Sequence, residues 1–249
     1  MKTTIEGKVA LVTGSNRGIG RAIVDALIAR GASKVYAAAR NADALQPLVE
    51  AHGERVVPAA LDVTQPDQVA AVAAQASDVQ VLVNNAGFAA QTDIFADDIN
   101  AARQEFEVNY WGVLNMLRAF VPLLENNGGA AVINVASVAS LVNFPPLPTY
   151  SDSKAAVHSL TQGVRLTKGA AGIQVVGVYP GPVDTDMAAD LEMEKASPQS
   201  VAETILNGVE AGKVDVFPDA MAEGFIPPYA AGAKVFEAQT AEMLAGGAE

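Results

Sequence analysis

The chain has 249 residues, half of them hydrophobic and 18% charged, with no cysteine and a net charge of −12. That apolar share excludes a disordered chain and is ample for a large core, while the missing cysteine excludes disulfides, thiolate metal sites and a thiol nucleophile. The negative balance attracts neither nucleic acid nor an anionic membrane, so neither is expected as a partner, and any bound phosphate must be held by local donors.

The N-terminus carries no long apolar stretch ahead of a small-residue cleavage site, and no uninterrupted run of about 18 apolar residues follows. A cytoplasmic protein is therefore expected. Residues 8–13 (KVALVT) read as a continuous apolar strand, and 19–30 has helical spacing ending at Gly31. Short Val- and Ile-rich runs recur at 35–39, 56–61, 81–83, 131–135 and 175–178, with 214–217 a seventh. Between them the spacing predicts helices at about 43–51, 67–76, 97–124, 150–170 and 198–210. Fully apolar strands separated by helices indicate an α/β fold: a Rossmann-like, doubly wound, mostly parallel sheet of about seven strands with helices on both faces. No linker or repeat divides the series, so 1–249 reads as one domain. Segment 218–249 forms a tail, broken at Pro227-Pro228, with a terminal helix over 229–244.

The first strand runs into Thr13-Gly14-Ser15-Asn16-Arg17-Gly18-Ile19-Gly20 and then a helix. Glycines there allow a tight turn and a close approach of backbone N–H groups to a pyrophosphate, at the positive end of the helix dipole. After the second strand, the place of an acidic ribose reader is taken by Arg40. A carboxylate there would repel a 2′-phosphate, whereas the guanidinium fork suits one, and Arg17 offers a second positive charge. The cofactor preferred on this reading is NADP(H) over NAD(H). The alternative is that Arg40 is a solvated loop residue.

Tyr150 and Lys154 lie four apart at the start of a predicted helix and share one face. Ser137 ends the fifth strand, Asn84-Asn85-Ala86-Gly87 follows the fourth, and Asn109 interrupts an apolar helical stretch. Jointly, the T-G-x-x-x-G-x-G run at 13–20, N-N-A-G at 84–87, Asn109, Ser137 and Y-x-x-x-K at 150–154 resemble the short-chain dehydrogenase/reductase family in its short form. Pro180, Gly181, Val183 and Thr185 resemble the family's nicotinamide-side loop. The resemblance implies reversible hydride transfer between a nicotinamide and a carbonyl or alcohol carbon. Tyr150 would be acid and base, and Lys154 would lower its pKa and hold the nicotinamide ribose. Ser137 would polarise the carbonyl, and Asn109 would position a water leading to solvent. On the cofactor side it adds residues 14–20, Asp62, Val63, Asn85, Ala86 and Gly87, and it implies a homodimer or homotetramer. A phenol that titrates near neutrality needs about 4 kcal/mol of differential stabilisation, which one ammonium about 4 Å away supplies at an effective dielectric of about 20.

No metal site is expected, since His52 and His158 are far apart and match no ligand spacing. His158 is read as a packing or capping residue, and the S-x-x-K at 151–154 as coincidence, because its companion motifs are missing. Phe88, Val138, Ala139, Phe144, Leu147, Val183, Met187, Leu191 and Met193 are the expected walls of the substrate pocket. They are apolar and carry no basic group, which points to an uncharged carbonyl or alcohol as the small-molecule partner. Segment 184–196 is either a lid over this pocket or an ordinary acidic surface loop. Two other functions are weighed against this: a non-catalytic NADP-binding redox sensor or regulator, which need not keep Ser137, Tyr150 and Lys154 together, and a sugar-nucleotide epimerase or dehydratase on the same fold, which usually carries a larger C-terminal substrate domain.

Overall fold

The computed structural model describes residues 2–90, 92–128 and 131–246. Residues 247–249 of the expected tail lie outside the described residues. Seven strands form one parallel sheet: β1 (Val9–Thr13), β2 (Lys34–Ala39), β3 (Val56–Ala60), β4 (Val81–Asn84), β5 (Ala131–Val135), β6 (Gln174–Val178) and a two-residue β7 (Asp215–Val216). Their order is β3-β2-β1-β4-β5-β6-β7. The order reverses between β1 and β4, and at such a switch point the crossovers diverge and leave a crevice at the carboxyl ends of the strands. The fold is the expected Rossmann-like α/β arrangement.

The crossover helices are α1 (Gly18–Ala29), α2 (Gln46–His52), α3 (Pro66–Gln75), α4 (Asn100–Phe106), α5 (Gly112–Asn126), α6 (Pro148–Lys168) and α7 (Pro198–Glu210). Side chains alternate across the pleat, so each strand feeds two cores. On one face Ala10, Val12, Val81, Val83 and Ile133 pack with Ile23 and Leu27 of α1 and Val201 and Ile205 of α7. On the other, Leu11, Leu82, Val132 and Val175 pack with Val69 and Val72 of α3 and Met116, Phe120 and Leu124 of α5. Strands apolar along their whole length follow from this two-sided burial.

Three expectations are corrected. The helix expected over 97–124 is two helices joined by a π turn at Glu107–Trp111, in which the Gly112 N–H reaches back to the Glu107 carbonyl. A π turn accommodates one extra residue within a continuous helical run and rotates the side chains after it, which a simple periodicity does not reveal. Helix α6 starts at Pro148, ahead of Tyr150, because a proline in the first turn needs no N–H there. In the tail, Pro227 and Pro228 open a helix for the same reason. The tail forms α8 (Ala220–Gly224), α9 (Ile226–Ala231) and α10 (Ala233–Gly246), and the break falls at Gly232, at φ +110°.

Candidate active site

Because the strands are parallel, their carboxyl ends share one edge, and there the loops after β1, β4, β5 and β6 meet. The loops after β1 and β4 are stitched by side chains. Thr13 Oγ1 accepts the N–H of Asn85 at 2.9 Å and of Ala86 at 3.0 Å. In return, Asn85 Nδ2 donates to the Thr13 and Gly14 carbonyls at 2.9 and 3.2 Å. Gly14 has φ +68°, and a Cβ on Gly20 would stand 2.2 Å from the Gly14 oxygen, so the turn closes only without a side chain at 20. Helix α1 begins at Gly18 with Arg17 as its N-cap, and that residue makes no side-chain capping bond. The first-turn N–H groups are therefore left for another acceptor, a donor set that suits a pyrophosphate.

The other expected cofactor residues hold varied positions. Ser15 is buried, its hydroxyl donating to the Val12 carbonyl at 2.6 Å, so its part in a phosphate site falls to its backbone. Asn16 is half-buried in the loop, and Ile19 packs onto the core beneath α1. Arg17 is exposed and ion-paired with Asp186, in the segment after β6. Arg40 is exposed at the end of β2. Asp62 is held in a turn by the Thr64 N–H and hydroxyl, at 3.0 and 2.8 Å. Val63 packs over Gly112, and its carbonyl accepts from Asn115 Nδ2 at 3.1 Å. Val183 lies in the main core, so only its backbone can face the crevice; it does not line the pocket as expected. Pro180 is buried, and its carbonyl accepts from the Val138 N–H at 3.0 Å. Thr185 lies against Gly18, where a Cβ on the glycine would meet its methyl at 2.9 Å.

Ser137 caps a short 3₁₀ turn at Val138–Ser140, accepting the Ala139 N–H at 3.1 Å, and its own N–H is held by Ser140 Oγ at 3.1 Å. Its hydroxyl donates to the Pro180 carbonyl at 3.5 Å, and it stands close enough to the Tyr150 phenol to lower that group's pKa. Lys154 is buried on the next turn of α6. Its Nζ stands 5.7 Å from the centre of the Tyr150 ring and donates to the Val135 carbonyl at 2.9 Å. That bond engages one of three ammonium hydrogens, and a Cβ on exposed Gly87 would lie 3.5 Å from the same nitrogen. The unspent donors fit ribose hydroxyls. Asn109, fully buried in the π turn, clamps the loop after β4. Its Oδ1 accepts the Phe88 N–H at 2.8 Å, and its Nδ2 donates to the Phe88 carbonyl at 2.8 Å and to Ser153 Oγ at 2.9 Å.

The acidic phenol expected beside an ammonium is not what this arrangement gives. Burial pushes Tyr150 up to about 12, the Ser137 hydrogen bond opposes that rise, and the charge of Glu105 adds to it. Burial likewise brings Lys154 down to about 8. With Nζ turned to the Val135 carbonyl, the ammonium lies over the ring rather than at its oxygen, so desolvation governs the phenol.

Comparison with known proteins decides the family. A family model described as short chain dehydrogenase matches residues 8–196. This chain belongs to the short-chain dehydrogenase family. An uncharacterized oxidoreductase of Staphylococcus saprophyticus is 30% identical over 217 residues, covering 83% of this chain and 92% of that one. A short chain dehydrogenase from Burkholderia cenocepacia, solved in complex with NADP, is 40% identical with a TM-score of 0.87, over 95% of this chain and 99% of that one. A family member from Burkholderia phymatum, solved in complex with NAD, is 26% identical with a TM-score of 0.82, over 90% and 93%. The chain is an oxidoreductase of this short-chain dehydrogenase family.

Several residues of this dehydrogenase were not singled out from its sequence. Glu105 is fully buried, one carboxylate oxygen accepting the Ala90 N–H at 2.7 Å and the other the Thr149 hydroxyl at 2.6 Å. Its place one helical turn before Asn109, on the buried face, was the available signal. Asp219 accepts the Gly181 N–H at 2.8 Å while capping α8, which ties the tail to the loop after β6. Phe225, Phe236 and Met221 of the tail pack against Val138 and Phe144. Met187, Leu191 and Met193, expected in the pocket wall, are exposed. Segment 184–196 is pinched at its base by a Val183–Ala196 bridge and by the Asp184 N–H to the Ala196 carbonyl at 2.9 Å.

His158 packs edge-on to Tyr179, with Nδ1 2.7 Å from its hydroxyl, as a packing residue should. The buried Ser151 hydroxyl donates to the Leu147 carbonyl at 2.8 Å and is no nucleophile. Among the described residues no group of three or more His, Cys, Asp or Glu side chains could hold a metal, and no helix is long and apolar enough to cross a membrane.

Proposed function

We propose that this dehydrogenase is NADP(H)-dependent and interconverts an uncharged, largely apolar carbonyl and its secondary alcohol, as a carbonyl reductase or alcohol dehydrogenase. The observation that carries this reading is the convergence of the Ser137 hydroxyl, the Tyr150 phenol and the buried Lys154 ammonium at the switch-point edge. A redox sensor would need the glycine loop but not that trio. Bound, the nicotinamide supplies or accepts the hydride, and its oxidised ring adds a positive charge.

Tyr150 holds the proton that the reacting oxygen takes up on reduction and receives it back on oxidation. Ser137, beside the phenol, would turn its single O–H to the same oxygen as charge builds there. Lys154 holds the nicotinamide ribose with its free donors. Its positive charge counters the desolvation that keeps the phenol weakly acidic once the ammonium is drawn from Val135 towards the site. Asn109 spends both amide hydrogens on Phe88 and Ser153, so its part in a water path rests on the second lone pair of Oδ1.

The Gly14–Gly20 turn and the bare first turn of α1 would hold the pyrophosphate, and the 180–185 loop the nicotinamide. Asp62, Val63, Asn85, Ala86 and Gly87 complete the cofactor side. Arg40 favours the 2′-phosphate; Arg17 contributes less, because Asp186 engages it. The NADP bound to the relative from Burkholderia cenocepacia supports this choice. Val138 and Phe144 pack with Met221 and Phe225 in an apolar cluster next to Ser137, without a basic group, which supports an uncharged substrate. Segment 184–196 acts as a lid latched to the glycine loop by Arg17 and Asp186. The chain works as one domain and pairs with further copies of itself. Tyr150→Phe tests the chemistry. NADPH binding followed by fluorescence persists, and reduction across a panel of aldehydes and ketones falls at least about a thousandfold; retained turnover overturns the mechanism.

A further inference from the structure

Glu105 is a fully buried carboxylate with no part in the mechanism above. Burying a charge is costly unless it is hydrogen-bonded, and the two bonds it accepts are short and come from separate elements. One oxygen holds the Ala90 N–H at 2.7 Å, in the loop whose Phe88 is clamped by Asn109. The other holds the Thr149 hydroxyl at 2.6 Å, on the residue before Tyr150 in the first turn of α6. Helix α4 thus ties the floor of the crevice to the element that carries the phenol.

We propose that Glu105 is a positioning residue for proton transfer, fixing the first turn of α6, which carries Tyr150, against the loop after β4 and burying its carboxylate against that turn. This deepens the oxidoreductase reading and rests on it. The groups facing the phenol are Lys154 from its own helix, 5.7 Å from the ring centre, the Ser137 hydroxyl from the turn after β5, and Glu105 from α4; burial, Ser137 and Glu105 shift its pKa. A negative neighbour opposes formation of a phenolate, in the same sense as burial. Tyr150 is thereby held as a loaded acid, the form needed to protonate an alkoxide. The device biases this site towards carbonyl reduction and makes alcohol oxidation depend on higher pH.

Glu105→Gln keeps the side chain's shape and an acceptor for Ala90 while removing the charge; Glu105→Ala removes both. In full-length protein with ¹³Cζ-labelled tyrosine, the Tyr150 resonance is the one missing from Tyr150→Phe, and its titration needs no turnover. Its onset moves to lower pH by roughly one unit in Glu105→Gln, the shift expected from one nearby buried charge. In the pH profile of carbonyl reduction, the falling limb moves the same way. Glu105→Ala shows that shift together with a loss of kcat at nearly unchanged NADPH affinity. An unmoved Tyr150 titration in a folded Glu105→Gln overturns the proposal even if the enzyme turns over. Full activity in Tyr150→Phe would instead overturn the oxidoreductase mechanism and leave the titration to judge Glu105 alone.

Discussion

At the scale of single residues, the site is built from groups held in unfavourable surroundings. Lys154 is buried with one protein acceptor, and desolvation brings it down to about 8. Its folded pKa lies below the unfolded value, so from about 8 to about 10.5 the unfolded chain binds more protons and stability rises with pH. Below that window the full cost of the buried ammonium remains. Lys154→Met removes it, and the variant gains roughly 1–3 kcal/mol at pH 7, read as a higher denaturant midpoint, while turnover is lost. The advantage over the parent shrinks as pH rises towards 10. A variant less stable than the parent at pH 7 would show that the ammonium is already well compensated. Arg40 is the opposite case, exposed and free to choose its ligand. Arg40→Asp weakens NADPH binding at least about tenfold more than NADH binding, since it replaces an attraction to the 2′-phosphate with a repulsion. Equal losses for the two nucleotides would sink the assignment of Arg40 to the 2′-phosphate.

At the scale of elements, much of this was legible in the chain. The seven Val- and Ile-rich runs became the seven strands, because a parallel sheet covered on both faces needs apolar residues along its full length. Residues 14–20, 84–87, Ser137, Tyr150 and Lys154 all fall at the carboxyl edge, since strand–loop–helix order alone places them there. The π turn was not legible. Nothing in the spacing of Phe106, Tyr110 and Trp111 announces an extra residue, and the evidence for it is the side chain it redirects. Asn109 reaches the Phe88 backbone from that turn, a contact between loop and helix that no local pattern encodes. Glu105 was missed for the same reason, as both its partners come from elsewhere in the chain. The tail's role was hidden too, because its contacts with Val138 and Phe144 are between distant segments. Asn109→Leu tests the clamp. It strands the half-buried Phe88 N–H and carbonyl and destabilises the fold by about 1–3 kcal/mol in urea unfolding. Ser153→Ala, which removes a single acceptor, costs less than half as much. Equal costs would mean that the loop after β4 finds other partners.

At the scale of the whole molecule, the strongest unanswered demand is exposed apolar surface. Ile94, Phe95 and Ile99, before and at the start of α4, are 52%, 91% and 51% exposed; Trp111, ahead of α5, is 47% exposed, and Leu166 near the end of α6 is 85% exposed. Exposed large apolar groups that lie together mark surfaces that find partners. The self-association proposed above would set α5 and α6 against their own copies through a two-fold contact. Each chain carries a net charge of −12, so two copies repel at long range and the apolar contact must overcome that repulsion. Sedimentation at micromolar concentration should therefore give two or four times the 25.6 kDa chain, with association tightening as salt rises from about 0.05 to 0.5 M. Association driven by surface ion pairs would weaken over the same range. Trp111 is the sole tryptophan, so its emission reports on this surface directly and should shift to shorter wavelength as the protein is concentrated. Leu166→Asp places a charge on the proposed contact and should return the chain to a monomer with its fold intact. A monomeric parent at high salt, or an oligomer indifferent to Leu166→Asp with Trp111 emission unchanged on dilution, would move the contact away from α5 and α6.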